Sequence, residues 1–183
     1  MRLLVLGANG LLGSNLVASG LARDWDIRGT YHSTEPDLDV PLSRLDVTEE
    51  SQVNRILAEK GPDVVVNCAA MTDVDACETH PERAHAVNAA APGTIARAGR
   101  AAGAGVVHVS TDYVFDGRRA GPYDEAAEPN PIQTYGETKL AGERRVREAV
   151  PDALVPRLSF VWGIHRGKDE LEGFPSWVRS FAG

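Results

Sequence analysis

Tyr135 and Lys139 lie four residues apart in TYGETKLAGE. On a helix that spacing puts a phenol and an ammonium one turn apart on the same face. A free phenol titrates near pH ~10, so poising it near neutrality takes about 3 units, or about 4 kcal/mol, of help. A neighbouring positive charge works in that direction by favouring the phenolate. The pair suits reduction of a ketone, which needs a nearby hydride donor, an acid for the developing alkoxide and polarisation of the carbonyl. Thr111, in HVSTDYVFDG, adds a hydroxyl that can bond the reacting oxygen, and Asp112 a carboxylate beside it. Each has a plainer alternative: an ordinary i, i+4 surface pair for Tyr135 and Lys139, a loop cap for Thr111 and Asp112.

A second constellation opens the chain, MRLLVLGANGLLGSNL. The apolar run Leu3–Leu6 reads as a strand and Leu11–Leu21 as a helix, with Gly7, Gly10 and Gly13 between and just inside them. In a strand–turn–helix setting this spacing is a dinucleotide-binding signal. Gly7 allows the tight turn, Gly10 lets backbone approach a pyrophosphate, and Gly13 lets helix and strand pack closely. The free N–H groups near Gly10, Leu11 and Leu12 sit at the positive end of the helix dipole, where a pyrophosphate binds. A purely structural glycine turn is the alternative.

The elements needed to position both constellations alternate. Further strands are expected at Trp25–Tyr31, Asp63–Cys68, Val106–Ser110 and Ala153–Leu158. Helices are expected at Glu49–Lys60, capped at or near Thr48; from Pro81 to Ala102, interrupted near Pro92-Gly93; at Tyr135–Ala149; and from Leu171 towards Phe181. Strands alternating with helices predict an α/β fold, a doubly wound parallel sheet of Rossmann type. The stretch from Phe115 to Pro131 reads as a surface loop.

Composition narrows the function classes. A net charge of −7 over 183 residues carries no electrostatic footprint for nucleic acid. No apolar run reaches the roughly 18 residues of a membrane span. The glycine turn stands too near Met1 for a signal peptide to precede it, so a cytoplasmic location is expected. Cys68 and Cys77 have neither metal nor disulfide spacing, and the five histidines have no ligand spacing, so no metal site is expected. His108 reads as a packed core residue. Asn88 reads equally as a buried hydrogen-bond partner or a functional residue, and Thr72 as a groove-lining residue or a helix cap.

Cofactor choice rests on the end of the second strand, GTYHST. A ribose-binding acid is expected there for NAD, and none occurs before Glu35. Tyr31, His32 and Ser33 can accept a 2′-phosphate. NADP(H) is favoured and NAD(H) is left open.

Together GANGLLG, VNCAAMTDVDACE, HVSTDYVFDG and NPIQTYGETKLAGE resemble the dTDP-4-dehydrorhamnose reductase family of extended short-chain dehydrogenases/reductases, over Met1 to about Gly163. STDYVFDG is the most specific of these; Tyr-x-x-x-Lys is common to the whole superfamily. The resemblance implies hydride transfer from NAD(P)H to the C4 ketone of dTDP-4-dehydro-L-rhamnose, giving dTDP-L-rhamnose. It makes Tyr135 the acid, with Thr111 and Lys139 catalytic beside it and Lys139 also on the nicotinamide ribose. Asp46 falls on the adenine amino group with Val47 beside it. Asn9, Cys68, Ala69, Ala70 and Thr72 line the cofactor groove. Thr111, Asp112 and Phe160 meet the sugar.

Two departures stand out. Phe160 occupies the place of a tryptophan that packs on the sugar in this family, with Trp162 two residues on. The chain also stops soon after the fifth strand, where the family continues into further strands and a substrate lobe. Residues 1–163 therefore read as the nucleotide-binding domain and 164–183 as the start of a truncated substrate-binding region. The expectation is a fragment that leans on a partner copy, with a homodimer open. Two other readings remain: a non-catalytic regulatory subunit resembling methionine adenosyltransferase beta, and another nucleotide-sugar epimerase or reductase.

Overall fold

The computed structural model describes residues 1–173 and Ser176. Its first strand, β1 (Arg2–Leu6), is central because both its faces are apolar: Leu3, Leu4, Val5 and Leu6 are all buried. Successive side chains point to opposite sides, so Leu4 and Leu6 join one core and Leu3 and Val5 the other. Beside β1 run β2 (Asp26–Tyr31) and β4 (Val64–Asn67), both parallel to it. A short β3 (Leu42–Arg44) flanks β2, and β5 (Gly105–His108) flanks β4.

Beyond Val109, β6 (Ser110–Thr111) carries the β5 line onward and pairs in parallel with β7 (Arg157–Leu158). Leu154 bridges Val107 on the same side. The strands thus run 3-2-1-4-5-7, the doubly wound order whose switch point lies between β1 and β4. Helix α1 (Leu11–Leu21) covers one face, placing Val17 against Leu3, Val5 and Val66. On the other face α2 (Glu50–Lys60), α5 (Ala91–Ala101) and α6 (Thr134–Ala149) place Leu57, Ile95 and Val146 against Leu4, Leu6 and Val65.

Several details differ from the sequence expectations. Strand β3 and helix α3 (Val74–Thr79) lie in stretches with no strong periodicity. The expected helix from Pro81 is continuous through Pro92: α4 (Pro81–His85) passes through a π-turn (Ala86–Ala90) into α5. The wider turn falls just ahead of Pro92, whose ring cannot sit against an ordinary α-helical carbonyl ladder. Thr48 does not cap α2; Glu49 takes that position without a side-chain bond, and Thr48 bonds Asp46 instead. The fifth crossover strand is shorter than Ala153–Leu158, reduced to the Leu154 bridge and β7, with donorless Pro156 between them.

Past Gly163 the chain forms an antiparallel hairpin, β8 (Gly163–His165) and β9 (Glu170–Glu172). The helix expected from Leu171 to Phe181 therefore does not begin there, since Leu171 and Glu172 belong to β9; apart from Gly173 and Ser176, its remainder lies outside the described residues. The hairpin folds back onto α1. Asn15 Nδ2 donates to the Ile164 carbonyl at 2.9 Å, and the Arg166 N–H donates to Ser14 Oγ at 3.2 Å.

Candidate active site

At the C-terminal ends of β1, β2 and β4 the backbone opens into a groove of about 510 Å³. Gly7 adopts φ +78°, and a side chain there would also press on the Ala69 backbone. A Cβ on Gly13 would come within 2.2 Å of the Gly7 carbonyl oxygen, so only glycine lets α1 start this close to β1. Gly10 is the N-cap of α1, makes no side-chain capping bond, and no acid occupies the first turn. The first-turn N–H groups at Leu11, Leu12 and Gly13 therefore have no partner within the helix. The arrangement is a positively polarised cradle for an anion.

Gly7, Asn9 and Gly10 line this groove together with Tyr31, His32, Ser33, Asp46, Val47, Cys68, Ala69 and Ala70. Asp46 is held in place by the Thr48 N–H and hydroxyl, at 3.0 and 2.6 Å, and lies 3.5 Å from His32 Nε2. Those Thr48 bonds hold its carboxyl below the usual range, with a smaller contribution from His32. The Tyr31 hydroxyl donates to Glu35 at 2.9 Å. Sequence reading missed Thr30 on β2, Met71 in the loop after β4, and Arg83 and Val87 on α4 and the π-turn, all on the same wall; nothing local marks them, because only the fold brings these elements to the groove.

Gly10, Cys68 and Ala70 also line a second groove of about 520 Å³, so the two adjoin. Its walls hold Leu11, Leu12, Gly13, Thr72, Thr111, Asp112, Tyr135, Lys139 and Phe160. Every site residue expected from the sequence thus lies on one or other groove. Thr72 lines the wall, and the neighbouring Asp73 is the residue that caps α3. Asn88 serves as a buried hydrogen-bond partner, bonding both the N–H and the carbonyl of Met71 at 2.9 Å. Thr111 Oγ1 caps the 3₁₀ turn Asp112–Val114 by accepting the Tyr113 N–H at 3.2 Å.

Electrostatics in this second groove are set by burial. Lys139 is 3% exposed, donates to the Val109 carbonyl at 2.6 Å, and has its pKa pushed down to about 8 by desolvation, with Glu143 and then Cys68 acting the other way. Burial pushes the Cys68 thiol up to about 12, and it pushes the Tyr135 phenol above its ordinary value, with the Thr111 hydroxyl opposing. Lys139 does not by itself bring Tyr135 towards neutrality: burial dominates the phenol, and the ammonium donates to the Val109 carbonyl. A neutral phenol is nonetheless the form that can give up a proton. His108 packs in the core as expected, beside Asn67 at 3.1 Å, and burial keeps it neutral.

Glu143, Tyr113 and Glu172 were also missed. Glu143 stands one turn past Lys139 and is 2% exposed; the spacing 135, 139, 143 was the signal available for it. Tyr113 packs edge-on to the Tyr135 ring, 5.6 Å between centroids. Glu172 comes from the unanticipated hairpin. Phe160 lines the groove yet is 70% exposed, as is much of Trp162. The loop after Val114 is organised by Asp116, which accepts from the Tyr123 hydroxyl, the Arg118 N–H and Asn130 Nδ2; these bonds bring its carboxyl down to about 2. No cluster of metal-ligating side chains is present among the described residues, and no helix there is long and apolar enough to cross a membrane.

Residues 1–174 match the family described as "RmlD substrate binding domain". The "Probable low-salt glycan biosynthesis reductase Agl14" of Haloferax volcanii is 49% identical over 180 residues, 98% of this chain and 60% of that protein. The "dTDP-4-dehydrorhamnose reductase" of Mycolicibacterium smegmatis is 43% identical over 183 residues, all of this chain and 51% of that protein. "Methionine adenosyltransferase 2 subunit beta" of Danio rerio is 38% identical over 163 residues, 88% of this chain and 48% of that protein. Among solved structures, a hypothetical dTDP-4-dehydrorhamnose reductase from Sulfolobus tokodaii aligns with TM-score 0.86 at 38% identity, covering 98% of this chain and 61% of that one. A dTDP-4-dehydrorhamnose reductase from Bacillus anthracis, in complex with NADP, aligns with TM-score 0.78 at 36% identity, covering 89% and 55%. The chain spans about half to three-fifths of the length of these relatives.

Proposed function

The chain belongs to the RmlD substrate binding domain family, and from that membership we propose that it is the cofactor-binding and catalytic part of an NADP(H)-dependent reductase of a nucleotide-linked 4-keto-6-deoxy sugar, with dTDP-4-dehydro-L-rhamnose as the substrate and dTDP-L-rhamnose as the product. The observation that carries this reading is a pair of adjoining grooves with the uncapped N-terminus of α1 between them and Thr111, Tyr135 and Lys139 together in the second. The cradle fits a dinucleotide: its donors are backbone N–H groups, and the close approach at Gly10 leaves the space a pyrophosphate needs.

In this reading Leu11, Leu12 and Gly13 hold the pyrophosphate. Asp46 and Val47 flank the adenine, while Tyr31, His32 and Ser33 accept a 2′-phosphate. Lys139 holds the nicotinamide ribose. A bound reduced nicotinamide supplies the hydride. Thr111 donates a hydrogen bond to the carbonyl oxygen, and Tyr135, kept protonated by its burial, gives its proton to the alkoxide as charge develops there. Asp112 and Phe160 contact the sugar. Residues 1–163 form the nucleotide-binding unit, residues from 164 on begin the substrate region, and the setting is the cytoplasm.

The deciding experiment is an assay of a full-length protein containing this chain with dTDP-4-dehydrorhamnose and NADPH, following loss of the reduced cofactor. Turnover supports the reading. Tight NADPH binding without turnover on any 4-keto sugar, together with a protein partner in pull-downs, replaces it with the regulatory one.

A further inference from the structure

Glu143 is the only carboxylate buried below a tenth of its surface among the described residues. It lies on α6 two turns from Tyr135 and one from Lys139, and its two oxygens are fully engaged. Oε1 accepts from the Ser110 hydroxyl at 2.5 Å and from Arg157 Nε at 2.9 Å. Oε2 accepts from Arg157 Nη2 at 2.7 Å. Ser110 is the residue before Thr111 on β6, and Arg157 on β7 precedes the groove residues Leu158, Ser159 and Phe160. The guanidinium also lies 5.1 Å from the Phe115 ring, at the start of the loop organised by Asp116. One carboxylate thus joins the helix bearing the acid to both strand ends that wall the second groove.

A buried ion pair is seldom a net source of stability, because desolvation offsets the attraction. What it does well is fix geometry and set a local field. The groups facing Lys139 decide whether that field matters. On its own helix these are Glu143 and, one turn the other way on the same groove, Tyr135; from the residue after β4 comes Cys68, and from β5 His108. Cys68 stays a thiol and His108 stays neutral through the physiological range. Glu143, itself faced by Arg157, is left as the charge that acts on the lysine.

We propose that Glu143 is a positioning residue: through Ser110 and Arg157 it fixes where Tyr135 and Lys139 stand relative to Thr111, and its charge holds Lys139 as an ammonium ion at the groove wall. The inference rests on the keto-reductase reading for its purpose, but its test does not need turnover. The chain contains only three lysines, Lys60, Lys139 and Lys168, so labelling lysine at Cε with ¹³C gives three assignable signals whose shifts report ammonium titration. Lys139 should titrate near the value of about 8 given by its surroundings.

Glu143→Gln removes the negative charge and should lower the Lys139 midpoint by about half a unit or more. Arg157→Gln leaves Glu143 without its counter-charge and should raise the midpoint. A role confined to packing would not move it in opposite directions. An unmoved midpoint in either folded variant, or movement of both in the same direction, overturns the proposal; if Glu143→Gln does not fold, the direction in Arg157→Gln decides. In a full-length protein containing this chain, Glu143→Gln should lower kcat about tenfold while NADPH affinity stays within about threefold. A full-length wild type that reduces no 4-keto sugar would overturn the function proposed above while leaving the lysine titration readable.

Discussion

The two ends of the groove are built by opposite means. Around Gly7, Gly10 and Gly13 the wall is backbone, and what matters is that side chains are missing: a Cβ at Gly13 would sit 2.2 Å from a carbonyl oxygen. Around Tyr135 the wall is side chain. Lys139, Glu143, Ser110 and Thr111 are buried there and bonded to groups 14 to 33 residues away, apart from the local Thr111 cap. The first kind of site is specified by neighbours in sequence and tolerates no added atoms. The second is specified by distant partners and carries unbalanced desolvation costs, which is where perturbed titration concentrates.

The sharpest way to separate the two ends is to damage each without harming the other. Tyr135→Phe in a full-length protein containing this chain should cut kcat by about 10²–10⁴, the worth of a positioned acid, with NADPH affinity within about threefold. A variant that kept full turnover would assign the proton to another group. Gly10→Val should do the reverse. A Cβ there meets no atom of the protein closer than the Gly7 carbonyl oxygen at 3.5 Å, so the melting temperature should fall by only a few degrees, the cost of replacing glycine by valine at an N-cap. Nucleotide affinity should fall at least about 100-fold, equivalent to about 2.8 kcal/mol. Calorimetric titration with NADPH checks this, and wild-type affinity would remove the dinucleotide reading.

The cost carried by the side-chain end should be visible in stability. Lys139 titrates near 8 in the fold against 10.5 for an ordinary lysine. Below pH 8 both states are protonated and the fold bears the full cost of burying the charge. Between about 8 and 10.5 the folded lysine loses its proton first, so the cost fades as pH rises. Lys139→Met should therefore be more stable than wild type at pH 7, by about 1–2 kcal/mol after loss of the Val109 bond. The gap should close by about pH 10.5. Denaturant melts of both proteins at several pH values measure it; a gap that widened with pH would contradict the sign.

The smallest expected effect lies at the start of α6, where Glu78 accepts the Thr134 N–H and hydroxyl at 2.6 and 2.7 Å. Those bonds hold the Glu78 carboxyl below its usual value. Its contribution is present above the unfolded carboxyl's pKa and is lost as pH falls through the lower, folded one. Glu78→Gln should shift the melting temperature by no more than about 2 °C at pH 7, and the difference should disappear in acid.

Legibility in the sequence followed the same division. The glycine cradle was readable because three glycines, a strand and a helix are contiguous. The sheet was readable because β1, β4 and β5 are apolar runs. Tyr135, Lys139 and Thr111 were recoverable as a motif, but their setting was not: that Lys139 bonds Val109, or that burial raises the Tyr135 pKa, depends on which strand ends α6 packs against. Glu143 passed unnoticed because a glutamate in a helix next to arginines looks solvated until Ser110 and Arg157 are brought to it. The hairpin β8–β9 passed unnoticed for a related reason. Its strands are three residues each and packed against α1, so tertiary contacts rather than an alternating pattern define them.

That hairpin has a bearing on when the cradle becomes complete. His165 is 1% exposed, and its Nε2 lies 2.9 Å from the Asn9 carbonyl. Since a carbonyl only accepts, this nitrogen carries the proton, and Nδ1 accepts the Gly167 N–H at 3.1 Å. The two partners are 156 residues apart in the chain. Contacts of such separation close late, after the entropy of a long loop has been overcome. At a synthesis rate of roughly 5–20 residues per second, the glycine loop leaves the ribosome on the order of ten seconds before the histidine that braces it. The glycine turn is thus made well before the residue that braces it, and it stays unbraced until the hairpin docks on α1.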